Sequence, residues 1–378
     1  MLRLRVSLPV TWSWLKKYKY FYMKICVVGG SGNISSSIVN LLLKQNHEVV
    51  CFNRGIRNTL PSGVRLIKGD RSDTKNFEKT IQLENFDFAI DMICFNAYQA
   101  KSSIKAFRNV KHFIMCSSVA TYGNQYNSLP TNEDHPIYPY DNYGHNKAEA
   151  DLIFMEEYET NGFPVTIVKP AAVYGPKFGL FRQVGPSSDM SWIDRVRKGK
   201  PLIVCDDGNA KHQFIHADDA ALAFVGILGK KHCIGQNYIM APEGYITWNE
   251  YHRTAMKVIG REVELVGVPL SNLEILKIPS FDLCRNIFSR HSYYSCKKLM
   301  HDVPEFQPKI SLESGMQQVI DTMDRKNQIP DSDYKNYWED QIIKAEKIGK
   351  PLKRIKRSFS FKIGRILFKV RKKTKKLK

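Results

Sequence analysis

The sequence predicts an α/β protein built on a doubly wound parallel sheet. Three observations carry this: short apolar runs recur along residues 24–170, helical periodicity separates most of them, and a glycine-rich turn directly follows the first run. Runs that are continuously apolar are expected of strands covered on both faces, as in a sheet made of βαβ units.

Element by element, KICVVG (24–29) reads as a buried strand, followed by a helix that places Ile34, Ile38, Leu41 and Leu42 on one face. EVVCFN (48–53), VRLIKG (64–69), FDFAIDMI (86–93), HFIMCSS (112–118) and VTIVKP (165–170) read as further strands, with helices near 74–83, 99–108 and 145–160. Beyond about residue 175 glycine and proline become more frequent. Helices at 188–199, 218–229 and 247–260 then alternate with the strands LIVC (202–205) and QNYIMA (236–241). The expected organisation is a basic extension (1–23), a nucleotide-binding portion (24–175) and a smaller, mainly substrate-binding portion interleaved with the sheet (176–330). A polar exit (331–349) and a basic amphipathic tail (350–378) complete it.

Composition narrows the function. With 378 residues and 43% of them hydrophobic, the chain buries a core, and whole-chain disorder is excluded. The net charge of +20 is terminal: residues 1–24 hold six basic residues, residues 350–378 hold fourteen, and neither segment holds an acid. The body between them is formally neutral, so a nucleic-acid partner for the fold itself is disfavoured. In the tail, Ile355, Phe359, Ile363, Ile366, Leu367 and Val370 recur at helical spacing among lysines and arginines. That pattern suits an anionic membrane surface, with a solvated tail or an RNA-binding segment as alternatives.

The eight cysteines form no C-x-x-C pair and no zinc-ligand spacing, so core thiols of a cytoplasmic protein and no metal are expected. No run is long enough for a membrane span. VSLPVTWSWL lacks a clear cleavage site and runs into Lys16, Lys17 and Lys19, so it reads as an extension ahead of Met23. A cytoplasmic location is expected, peripheral at the inner membrane surface where the tail takes its membrane reading.

Gly29, Gly32, Asn33 and Ile34 lie where a strand turns into a helix. Backbone N–H groups there meet a pyrophosphate, and glycines let it approach, which is the Rossmann arrangement for NAD or NADP. The end of the second strand carries Asn53 and Arg54 in place of the acid that would accept from a ribose 2′-hydroxyl. The choice between the two cofactors therefore stays open. Asp70, ending the third strand, reads either as an adenine contact or as a turn aspartate.

Tyr143 and Lys147 stand four apart on one helix face, where an ammonium would lower the phenol's pKa enough for acid–base work near neutral pH. Ser118 ends a parallel strand, where such sheets bind ligands. With these residues, GGSGNIS, CSSVATYG (116–123), KPAAVYGP (169–176), DDGNAKHQFIHADDAA (206–221) and FQPKISLESG (306–315) resemble the extended short-chain dehydrogenase/reductases, the NAD-dependent epimerase/dehydratase family, over roughly residues 24–330.

The resemblance implies a sugar or nucleotide-sugar epimerase. Such an enzyme oxidises a carbinol and re-reduces it from the other face, with Tyr143 moving the proton, Lys147 holding the nicotinamide ribose and Ser118 orienting the substrate oxygen. It also implies a homodimer. A keto-sugar reductase, or a non-catalytic RNA-binding member of the same fold, is the alternative.

Departures from the family pattern are informative. Val119 and Ala120 follow Ser118 where a dehydratase has an acid pair, Ala172 replaces the asparagine of the R-P-x-N type motif, and Ser35 takes the third glycine position. His212, a candidate substrate contact, replaces the arginine that clamps a diphosphate, and a neutral imidazole is a weaker phosphate ligand. Asp218 or Asp219 is expected to cap the helix that follows, and Trp192, Trp248, Tyr245 and Tyr251 to pack in the core.

Overall fold

The computed structural model describes residues 22–349, apart from residues 57–59, 277 and 336. The basic tail and nearly all of the N-terminal extension lie outside the described residues. In chain order the first half contains β1 (Lys24–Val28), α1 (Asn33–Lys44), β2 (Glu48–Asn53), β3 (Val64–Lys68), α2 (Thr74–Gln82), β4 (Phe88–Asp91), α3 (Ala97–Ala106), β5 (His112–Cys116), α4 (Asn142–Asn161) and β6 (Val165–Pro170). The second half contains β7 (Ala172–Tyr174), α5 (Ser191–Arg197), β8 (Leu202–Cys205), β9 (Lys211–His212), β10 (Phe214–His216), α6 (Ala217–Ile227), β11 (Asn237–Met240), β12 (Ile246–Thr247), α7 (Trp248–Ile259), β13 (Leu265–Val268), α8 (Leu270–Ile275), α9 (Lys297–Asp302), α10 (Leu312–Arg325), α11 (Ser332–Lys335) and α12 (Tyr337–Lys347).

Seven strands form one parallel sheet in the order β3-β2-β1-β4-β5-β6-β11. The order reverses between β1 and β4, so a crevice opens there at the carboxyl ends of the strands. Apolar side chains fill both faces. One layer joins Ile25 and Val27 to Ile38 of α1 and Phe224 of α6, and the other joins Cys26 and Val28 to Phe77, Phe113 and Phe154. Strand β3 departs from the expectation of strands covered on both faces: it is one of the two sheet edges, and Leu66 is 43% exposed. A continuous apolar run does not distinguish an edge strand from a central one.

Local capping sets the helix starts earlier than periodicity suggests. The Asn96 carboxamide accepts from the Gln99 amide, beginning α3 at Ala97, and the Asp141 carboxylate accepts from the Gly144 amide, beginning α4 at Asn142. At α6 the cap is neither aspartate: His216 Nδ1 accepts from the Asp218 amide. Asp218 takes the Ser37 hydroxyl, while buried Asp219 accepts from the Lys309 and Ile310 amides and anchors the segment before α10.

The second portion surrounds an aromatic core in which Trp192, Trp248 and Tyr251 are buried beside Phe214, as expected, whereas Tyr245 is 47% exposed and packs at a tilt against Tyr293, with ring centroids 4.8 Å apart. The polar exit expected over 331–349 is instead helical. Trp338, Ile342 and Ile343 of α12 are buried against Val268 and Leu273, and the fully buried Glu339 carboxylate meets Arg182 at 2.9 Å and the Ile203 amide at 2.9 Å. All eight cysteines are free and buried, and no group of metal-ligating side chains occurs among the described residues. No helix of the described residues is long and apolar enough to cross a membrane.

Candidate active site

The glycine turn is built by close packing. At Gly30 a Cβ would lie 2.3 Å from Cys51 Sγ on β2, and at Gly29, with φ of +85°, it would lie 2.6 Å from Ile93 Cγ2. Only glycine lets the turn sit this low on the sheet. Gly30→Ala is therefore expected to destabilise the fold by about 1–3 kcal/mol through overpacking and to lift the turn. Thermal denaturation with cofactor titration checks this against Gly32→Ala, whose nearest neighbour is Ser35 Oγ at 3.2 Å.

Ser35, at the third glycine position, braces the turn. Its hydroxyl donates to the Gly29 carbonyl at 2.7 Å and accepts from the Gly32 amide at 2.8 Å, stitching the loop to α1. The first amides of α1, at Asn33 and Ile34, are left to meet an anion. Asn33 donates through Nδ2 to the Val173 carbonyl at 3.3 Å, and its buried Oδ1 has no partner.

A cavity of about 300 Å³ opens over this turn, bordered by Gly29, Gly32, Asn33, Ile34, Ser118, Tyr143 and Lys147. Glycines, helix amides and an unpartnered buried acceptor fit a dinucleotide. Three expected cofactor residues are not brought to it. Asn53 is turned inward, its Oδ1 accepting from the Gly30 amide at 2.9 Å, so it braces the turn. Arg54 is exposed beside the end of β2, outside the lining. Asp70 is folded onto Ser72, whose hydroxyl and amide donate at 2.6 and 2.8 Å and hold its carboxyl below the usual range. Sequence reasoning missed Lys177, whose Nζ reaches the Ser31 carbonyl at 3.4 Å and sets a cation beside the turn. Its place in the KPAAVYGPKFG segment was the available signal.

Lys147 is buried, and its ammonium donates to the Cys94 carbonyl at 2.8 Å and the Cys116 carbonyl at 2.7 Å. Two of its three protons are thereby committed to the ends of β4 and β5. It lies 6.0 Å from the centroid of the Tyr143 ring. The expected lowering of the phenol's pKa does not occur. Although 45% of Tyr143 is exposed to the cleft, dehydration of its hydroxyl end dominates and pushes the pKa up to about 12, with the thiol of Cys116 adding to the rise and the Ser118 hydroxyl pulling against it. Ser118 also accepts from the Ala120 amide at 3.1 Å, which orients its hydroxyl at the end of β5.

Behind these groups lies a buried network that the sequence did not reveal. Lys169 on β6 pairs with Asp151 on α4, and the Ser117 hydroxyl donates to the same carboxylate at 2.8 Å. Lys169 also donates to Thr121 at 2.9 Å. The elements that carry Ser118, Tyr143 and Lys147 are thus tied together.

A second cavity, of about 230 Å³, adjoins the first. Ser118, Tyr143, Pro170 and Ala171 line both. His212 lines the second cavity, and burial pushes its pKa down to about 3, so it is neutral.

The chain matches the model of the NAD dependent epimerase/dehydratase family over residues 25–106 and 102–240. It is 27% identical over 248 residues to 2'-dehydrokanamycin reductase from Streptomyces kanamyceticus, covering 65% of this chain and 70% of that protein. It is 25% identical over 308 residues to chloroplast stem-loop binding protein of 41 kDa b from Arabidopsis thaliana, covering 78% and 77%. In fold it is similar to UDP-glucuronic acid 4-epimerase from Bacillus cereus in complex with UDP-glucuronic acid and NAD, with a TM-score of 0.64 and 20% identity over 80% of this chain and all of that one. With a family match over more than half its length, the protein belongs to the NAD-dependent epimerase/dehydratase family.

Proposed function

We propose that this protein catalyses NAD(P)-dependent epimerisation of a sugar at a carbinol carbon, with Tyr143 as the proton-transferring group. The observation that supports it most is that Ser118 and Tyr143 line both the cavity over the glycine turn and the adjoining one. A bound nicotinamide supplies a hydride donor or acceptor. Tyr143 passes the hydroxyl proton, Ser118 holds the substrate oxygen beside it, and Lys147 braces the ends of β4 and β5 while keeping one N–H for the cofactor ribose. The absence of an acid pair after Ser118 argues against dehydration.

A keto-sugar reductase is the second reading, favoured by one observation. A phenol with a pKa near 12 is fully protonated at neutral pH and is therefore poised as an acid, which the reductive half-reaction needs. The sign follows. Reduction is expected to be flat between about pH 6 and 9, while oxidation rises roughly tenfold per pH unit as the phenolate fraction grows. Single-turnover nicotinamide absorbance, recorded in each direction across this range, tests the assignment. A reductive rate that climbs with pH would exclude Tyr143 as its acid.

A further inference from the structure

We infer that the substrate of this site is an unphosphorylated sugar or glycoside ring, uncharged or amine-bearing, and not a nucleoside-diphosphate sugar; this rests on the reading of the site proposed above. The cavity beyond Tyr143 holds about 230 Å³, below the ~300–1,000 Å³ common for drug-sized ligands. It has room for about one ring.

Its charge is also wrong for a diphosphate. No lysine or arginine lines it, and its ionisable carboxylate is Asp141, at the start of α4. The cations on the surrounding segments have other partners or lie outside the lining, Lys177 reaching the Ser31 carbonyl at 3.4 Å beside the glycine turn. Arg182, next to the wall residue Phe181, turns away into a buried pair with Glu339, and Lys211, next to His212, donates outward to the Tyr245 hydroxyl at 3.0 Å. Arg285 pairs with Asp282 and Glu274. Arg290 is exposed and lies outside the lining. His212, where a guanidinium would form a bidentate clamp, is neutral and buried. A diphosphate seated within this lining would lose water and meet no cation in the cavity wall, which is unfavourable.

The same wall suits a sugar ring. Phe181 and Phe288 offer apolar faces to its C–H surface, and the hydroxyls of Ser118 and Tyr140 offer hydrogen-bonding groups, whereas the Ser292 hydroxyl is held by Tyr126 and Tyr294 at 2.9 and 3.0 Å. Gln213 contributes shape only, because its amide nitrogen is spent on the Pro242, Gly244 and Tyr294 carbonyls and its oxygen on the Tyr294 amide.

The test titrates UDP and UDP-glucose separately into the full-length, NADH-saturated protein and reads the heat of binding at one equivalent per chain. Affinity weaker than ~1 mM for both supports the inference, and saturable binding of either tighter than that overturns it. Retained NADH affinity verifies in the same sample that the fold is intact. The experiment involves no chemistry. Tight UDP binding would sink this inference and leave the role of Tyr143 standing, whereas full turnover by Tyr143→Phe would do the reverse.

Discussion

Tyr143→Phe is expected to lower turnover by ~10²–10⁴-fold, the range for loss of a positioned acid–base group, while cofactor affinity changes by less than about threefold. The substitution keeps the aromatic ring beside Lys147 and leaves the two carbonyl bonds of that lysine untouched. What disappears is the hydroxyl that faces Ser118 at the junction of the two cavities. Ser118→Ala should cost less, roughly tenfold to a hundredfold, since it removes one orienting hydrogen bond and leaves the proton donor in place. Nicotinamide absorbance gives the rates and NADH fluorescence the affinities. A Tyr143→Phe protein with unaltered turnover would show that another group carries the proton.

Glu339→Ala is expected to destabilise the protein by up to about 3–5 kcal/mol, because it removes the closer of two carboxylates from a buried guanidinium and leaves Asp189 at 3.4 Å. Arg182, itself buried, loses its 2.9 Å contact, and the Ile203 amide loses its acceptor. Arg195 retains Asp340 at 2.6 Å, so the loss falls mainly on Arg182 and on the start of β8. Urea denaturation checks it: a lower midpoint with unchanged slope is expected. An unshifted midpoint would mean that α12 does not pack on the second portion.

That helix also shows where the sequence was legible and where it was not. Continuous apolar runs placed β1, β2, β4, β5 and β6, because buried parallel strands leave that mark in the residues themselves. Residues 331–349 carry several charges and looked polar, yet their acids answer arginines distant in sequence, and such long-range pairs leave no local pattern. The pairs β7 with β10 and β9 with β12 involve strands of two or three residues, too short for any period to register.

That Gly29, Gly32, Asn33, Ile34, Ser118, Tyr143 and Lys147 border one cavity was legible because their placement follows from the glycine turn, the strand ends and the helical spacing along the chain. Asn53 was a candidate cofactor residue at the end of the second strand, but its carboxamide turns inward to the Gly30 amide, a choice set by how closely the turn packs on β2. The pKa of Tyr143 was misjudged for a similar reason. Spacing placed an ammonium nearby, while the direction in which that ammonium donates depends on two carbonyls at strand ends.

The measurement that bears most directly on the account is the identity of the nucleotide released when freshly purified protein is denatured, with its molar ratio to protein. NAD(H) or NADP(H) at close to one equivalent is the predicted result. An empty protein that also fails to bind either reduced cofactor on titration would contradict the assignment of the cavity over the glycine turn, and with it the proposed chemistry at Tyr143.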